Sequence, residues 1–129
     1  MSGGSSDDSP RLPVLLIDDE PLLLDMLRLG LQSEFEVDVA SSAEEAELMM
    51  ATRTYAAVVS DHLMPGEVGL KFLIRASERS PTTRRILLTG YMNPELLSRS
   101  IAVAGLSACI IKPVRADEVA RAIRSAVQA

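Results

Sequence analysis

Residues 56–77, AAVVSDHLMPGEVGLKFLIRAS, hold the pattern that decides the fold. The run at 56–60 is apolar, partly β-branched and too short for a helix, and it stops at Asp61. Met64-Pro65-Gly66 then makes a tight turn. From 68 to 78 the apolar residues Leu70, Leu73 and Ile74 recur at helical spacing. The unit is therefore a strand, an acidic tip and a helix. Its apolar run is continuous rather than alternating, as expected where both faces of a parallel sheet are covered.

Working outward, the same unit repeats. Short apolar runs lie at 13–17 (PVLLI), 36–40 (EVDVA), around 84–90 (RRILLTG) and at 107–112 (SACIIK). Helical periods fill the gaps. Residues 20–32 place Leu23, Met26, Leu27, Gly30 and Leu31 on one face. Residues 42–53 begin where Ser41 or Ser42 can cap with a glutamate three positions on, and their face is Ala43, Ala46 and Met50, with Tyr55 beyond. The next helix opens at Asn93-Pro94 and ends near Ala104, with Gly105 as its C′ residue. The last covers 116–128 on Val119, Ala120, Ile123 and Val127. Five strands alternating with five helices predict an α/β chain, a (βα)5 doubly wound three-layer sandwich around a five-stranded parallel sheet.

The chain's 129 residues suit a single domain with one sizeable core. Residues 1–11 are mostly small and polar and read as a flexible tail, leaving 12–129 as the folded unit. With 13 basic against 18 acidic residues and a formal net charge of −5, direct contact with nucleic acid is not expected. No apolar run is long enough to cross a membrane or serve as a signal peptide. One cysteine and one histidine build neither a disulfide framework nor a zinc site. A cytoplasmic location is expected.

In open parallel sheets the functional site lies beyond the carboxyl ends of the strands. Here those ends carry Asp18-Asp19-Glu20, Asp61, Thr89-Gly90 and Lys112-Pro113. Two carboxylates about 4 Å apart repel by roughly 4 kcal/mol at an effective dielectric of 20, so such a cluster needs protons or a cation. An all-oxygen ligand set suits Mg²⁺ and lacks the soft ligands that favour zinc. A carboxylate between a divalent cation and a lysine is set up to receive a phosphoryl group. Asp61, alone at the end of the central strand and followed by a tight turn, is the expected nucleophile.

Over residues 12–128 the chain resembles the receiver domain of two-component response regulators, a CheY-like, flavodoxin-like fold. The resemblance is carried by Asp18-Asp19, by VVSDHLMPGEVG at 58–69, by LLTGY at 87–91 and by CIIKP at 109–113. It implies that Asp61 accepts the phosphoryl group, with Asp61 and Asp19 as direct Mg²⁺ ligands, Asp18 a ligand through water and the Leu63 carbonyl a further ligand. Thr89 would bind a phosphoryl oxygen and Lys112 would pair with the phosphoryl group; a cis peptide is implied at Lys112-Pro113. The implied phosphodonor is a histidine kinase or histidine phosphotransfer protein. The output would pass to another protein, a fused effector domain or a second copy of this chain. The reactions implied are the domain's own phosphorylation and dephosphorylation, with no metabolite turned over.

The chain departs from the family pattern in several places. Cys109 stands where many members have Tyr or Phe, so the usual aromatic rearrangement has no ring to move. Tyr91 could supply one, whereas a lone buried thiol is usually inert. Leu63 and Tyr91 flank the approach of hydrolytic water without a base to orient it, which predicts slow self-dephosphorylation. His62, next to the nucleophile, should point away from it as a surface or packing residue. The fourth and fifth helices carry more apolar positions than one buried face needs, Ala122 and Ala126 among them. The expected partner surface is therefore the fourth helix, fifth strand and fifth helix. Two other functions compete: a degenerate receiver that binds partners without phosphorylation, and a phosphohydrolase. The first would not need the intact carboxylate set, and the second lacks an acid two residues past Asp61, where Leu63 stands.

Overall fold

The structure is a computed structural model that describes residues 10–64, 67–90 and 94–128. Five strands, β1 (Pro13–Ile17), β2 (Glu36–Ala40), β3 (Ala57–Asp61), β4 (Arg84–Thr89) and β5 (Ala108–Ile111), alternate with five helices. The helices are α1 (Pro21–Leu31), α2 (Ala43–Thr52), α3 (Gly69–Arg79), α4 (Pro94–Ala104) and α5 (Ala116–Gln128). The strands form one sheet in the order β2-β1-β3-β4-β5, every neighbouring pair parallel. A short antiparallel ribbon, Leu63–Met64 with Glu67–Val68, joins β3 to α3. The (βα)5 architecture expected from the sequence is the one observed.

Period-two alternation along each strand divides the core in two. Val14, Leu16, Val59, Ile86 and Leu88 point to the side of α1 and α5, where they meet Leu24, Leu27, Leu31, Val119 and Ile123. Leu15, Ile17, Val58 and Leu87 point to the other side and pack with Ala46, Phe72, Leu73 and Leu106. Burial on both faces explains why these strands read as unbroken apolar runs. α1 and α5 approach closely at Gly30, where an added Cβ would lie 2.3 Å from the Ala116 Cβ.

Several helix faces differ from their sequence reading. On α1 the buried residues are Leu24, Leu27 and Leu31, whereas Met26 is exposed. Pro21 occupies the first turn, where its missing N–H leaves no bond unmade. On α3, Phe72, Leu73 and Ala76 are buried and Leu70 and Ile74 only partly so. On α5, Ala126 belongs to the buried stripe rather than outside it, and Val127 is half-buried. The cap of α2 is Ser42, whose hydroxyl accepts from the Glu45 N–H at 3.1 Å. The glutamate's return bond goes to Ser41 N–H at 2.7 Å, one residue before the cap. Gly105, with φ +61°, closes α4 as expected. Residues 1–9, the Pro65-Gly66 turn, Asn93 and Tyr91 lie outside the described residues.

Candidate functional site

The strand order reverses between β1 and β3, and at this point loops leave the sheet in opposite directions and open a crevice. Asp18 directly follows β1 and Asp61 is the last residue of β3, one position later than the sequence suggested. Their carboxylates and that of Asp19 bring oxygen atoms within 4.8 Å of one another. Asp18 and Asp61 are buried and Asp19 is exposed. This gives the trio an inner wall and a solvent side.

Lys112 closes the crevice from β5. Its Nζ lies 2.8 Å from Asp61 Oδ1, 3.2 Å from Asp18 Oδ2 and 3.4 Å from Glu20 Oε1. The peptide bond after it, Lys112-Pro113, is cis, as the resemblance implied. Backbone hydrogen bonds tie the strand ends together. The Lys112 N–H donates to the Thr89 carbonyl at 2.7 Å, the His62 N–H to Leu88 at 2.8 Å and the Asp18 N–H to Ala40 at 3.2 Å. Thr89 is the last residue of β4 and is 1% exposed. Thus residues from four strand ends share one rim.

Asp61 is braced from beneath. The Ser60 hydroxyl donates to the Asp61 carbonyl at 2.9 Å, and a Cβ at Gly69 would fall 2.0 Å from that same oxygen. The start of α3 therefore touches the backbone of Asp61, which only a residue without a side chain permits. Leu63 stands two residues further on, in the ribbon facing Val68. His62 is half-buried, and its Nδ1 has no hydrogen-bond partner.

Burial is the main reason the Asp18 carboxyl is raised above its usual range, and the charge of Asp61 adds to this. The Glu20 N–H, 2.9 Å from Asp18 Oδ1, and Lys112 act in the other direction. For Lys112 burial opposes the charge, but hydrogen bonds to Asp61 and Asp18, with their charges, outweigh it. The ammonium is held above its ordinary value. Burial also pushes the Cys109 thiol up, which suits a small packing residue better than a reactive one.

Of the residues singled out in the sequence, Asp18, Asp19, Asp61, Thr89 and Lys112 lie at this rim. Three features were missed: the Glu20–Lys112 pair, the Ser60 hydroxyl and the packing role of Gly69. The adjacency of Glu20 to the acid pair was the available signal for the first. The other two arise from tertiary contacts that have no local signature. The three aspartates offer only oxygen donors, one of them from the solvent side, and this set fits a hard divalent cation such as Mg²⁺.

Residues 14–124 match the family model for the response regulator receiver domain. The chain is 36% identical over 116 residues to the hydrogenase transcriptional regulatory protein HoxA of Cupriavidus necator. That match covers 90% of this chain and 24% of the relative, so the chain spans about a quarter of the relative's length. Among solved structures it is similar to a CheY-like response regulator receiver domain protein from Methanospirillum hungatei. The TM-score is 0.85 and the identity 27%, covering 93% of this chain and 95% of the other. It is also similar to the signal receiver domain of an HD domain-containing protein from Pseudomonas fluorescens. There the TM-score is 0.84 at 28% identity, covering 92% and 95% respectively.

Proposed function

Because this chain belongs to the response regulator receiver domain family, we propose that residues 12–129 form a receiver in which Asp61 accepts a phosphoryl group from a histidine kinase or histidine phosphotransfer protein. The observation that carries this reading is the position of the Asp61 carboxylate, 2.8 Å from the Lys112 ammonium and grouped with those of Asp18 and Asp19. Asp61 attacks phosphorus in line, while Lys112 neutralises the phosphoryl oxygens and the Thr89 hydroxyl donates to one of them. Asp18, Asp19, Asp61 and the Leu63 carbonyl would hold Mg²⁺, which when bound supplies positive charge to the equatorial oxygens. Hydrolysis of the acyl phosphate resets the domain.

The output surface in this reading is α4–β5–α5, towards a separate protein, a fused effector or a second copy. Ile101, Val103 and Ile111 are exposed there. An open groove of about 580 Å³ between β5 and α5 is lined by Cys109, Ile111, Glu118, Arg121, Ala122 and Ser125. Membership of this family supports a cytoplasmic location in this reading.

Incubation with phosphoramidate and Mg²⁺, followed by intact-mass measurement, tests the central assignment. The wild type should gain one phosphoryl group and Asp61→Asn none. An unmodified wild type would favour the phosphorylation-independent binding module instead, and equal labelling of Asp61→Asn would move the nucleophile elsewhere. Leu63→Asn, which gives attacking water a polar neighbour, should shorten the lifetime of the acyl phosphate severalfold. Tyr91→Ala should do the same.

A further inference from the structure

Lys112 has three carboxylate partners, and only two of them belong to the buried pocket. The third, Glu20, is on average two-thirds exposed along its side chain and sits on the solvent side of the ammonium, 3.4 Å from Nζ. Its backbone is fixed: the Glu20 N–H donates to Asp18 Oδ1 and Pro21 begins α1 immediately afterwards. Its side chain makes no capping hydrogen bond to that helix. The carboxylate is therefore not tied by a hydrogen bond to the helix it precedes.

Asp18, Asp19, Glu20 and Asp61 set four carboxylates against the one ammonium of Lys112, an excess of three negative charges that a bound Mg²⁺ would cut to one. Any phosphodonor must bring further negative charge into this field. Glu20 adds to the repulsion at the entrance while drawing on the Lys112 ammonium that offsets it. The penalty it imposes grows with the charge of the donor.

We propose that Glu20 is a specificity-determining residue, whose carboxylate at the mouth of the pocket disfavours dianionic acyl phosphates relative to donors carrying phosphorus on a positively charged nitrogen. This rests on the reading of Asp61 as phosphoacceptor and extends it to the class of donor. In either transfer an Asp61 carboxylate oxygen forms the new bond to phosphorus. With acetyl phosphate the P–O bond to acetate breaks and acetate leaves. With phosphoramidate the bond to an already protonated nitrogen breaks and ammonia leaves. The second donor resembles an N-phosphorylated imidazole in its chemistry, and its nitrogen charge cancels part of the repulsion from Glu20.

The test compares phosphorylation rates with acetyl phosphate and with phosphoramidate in wild type, Glu20→Gln and Glu20→Lys at low salt. The ratio of the acetyl phosphate rate to the phosphoramidate rate should rise about threefold in Glu20→Gln, the scale of one exposed charge interaction, and further in Glu20→Lys. In about 1 M KCl, where the screening length falls to about 3 Å, the differences should largely vanish. In metal-free protein the Lys112 Nζ resonance should shift in Glu20→Gln. A phosphorylated wild type with an unchanged ratio in both variants would overturn the role of Glu20 alone. A ratio change insensitive to salt, or an unmoved Lys112 resonance, would also overturn it. Failure of the wild type to label with either donor would instead overturn the phosphoacceptor reading.

Discussion

At the scale of single residues, Gly69 is the strictest requirement next to Asp61. Its backbone does not adopt a positive φ, so turn geometry does not explain it. A methyl group would overlap the Asp61 carbonyl at 2.0 Å, and backbone cannot retreat as a flexible side chain would. Gly69→Ala should cost about 1–3 kcal/mol in urea denaturation, as overpacking does, and should slow labelling of Asp61 by displacing its backbone. Tyr55 is a second case. Its hydroxyl donates to Asp38 Oδ2 at 2.7 Å, and burial, followed by the Asp38 carboxylate, raises its ionisation above the ordinary value of 10.0. A raised value means that this contribution is complete below pH 10 and is lost as pH climbs through the folded-state value. Stability should therefore decline above pH 10. Tyr55→Phe should cost about 1 kcal/mol near neutrality and remove part of that alkaline decline. Asp61, Asp18, Thr89 and Lys112 were legible in the sequence because a strand end followed by a charge or hydroxyl is a local pattern. Gly69 was not, because its reason lies in a contact between two elements.

At the scale of elements, the ends of α4 show what periodicity does and does not carry. Gly105 was readable as the terminator, and the Leu106 N–H indeed returns to the Ile101 carbonyl at 3.2 Å, the wide bond of a Schellman closure. Arg85 was not readable. From β4 its Nε donates to the Ala104 carbonyl at 3.0 Å and its guanidinium reaches Gly105 and Thr83 as well. One side chain thus anchors the end of the helix to the neighbouring strand. Arg85→Met should retain much of the packing yet cost about 1–2 kcal/mol, below the upper range for bonds from charged groups because the site is half-exposed. Hydrogen exchange should report the loss, fastest at the last turn of α4. The misplaced face of α1 has a similar origin. Leu22, Leu23 and Leu24 are all apolar, so the pattern admits more than one phase. Packing against α5 at Gly30 selects the one that buries Leu24 and leaves Leu22 84% exposed.

At the scale of the whole molecule, chain order and spatial order diverge. Alternating strands and helices made a parallel sheet legible, but the sequence pattern alone does not say that β1 lies between β2 and β3. That arrangement brings residues 18 and 61 side by side although they are far apart in the chain. It also explains why burial divides so evenly between the two faces. The resulting pocket has a thermodynamic consequence for the entire fold. Burial beside Asp61 raises the Asp18 carboxyl above its usual range, so its charge lowers the margin by which the native state prevails, and a cation settling among the aspartates restores it through mass action. The melting temperature of this domain should thus serve as a gauge of ligand occupancy. A titration with Mg²⁺ would trace binding through heat resistance alone, before any phosphorus is transferred.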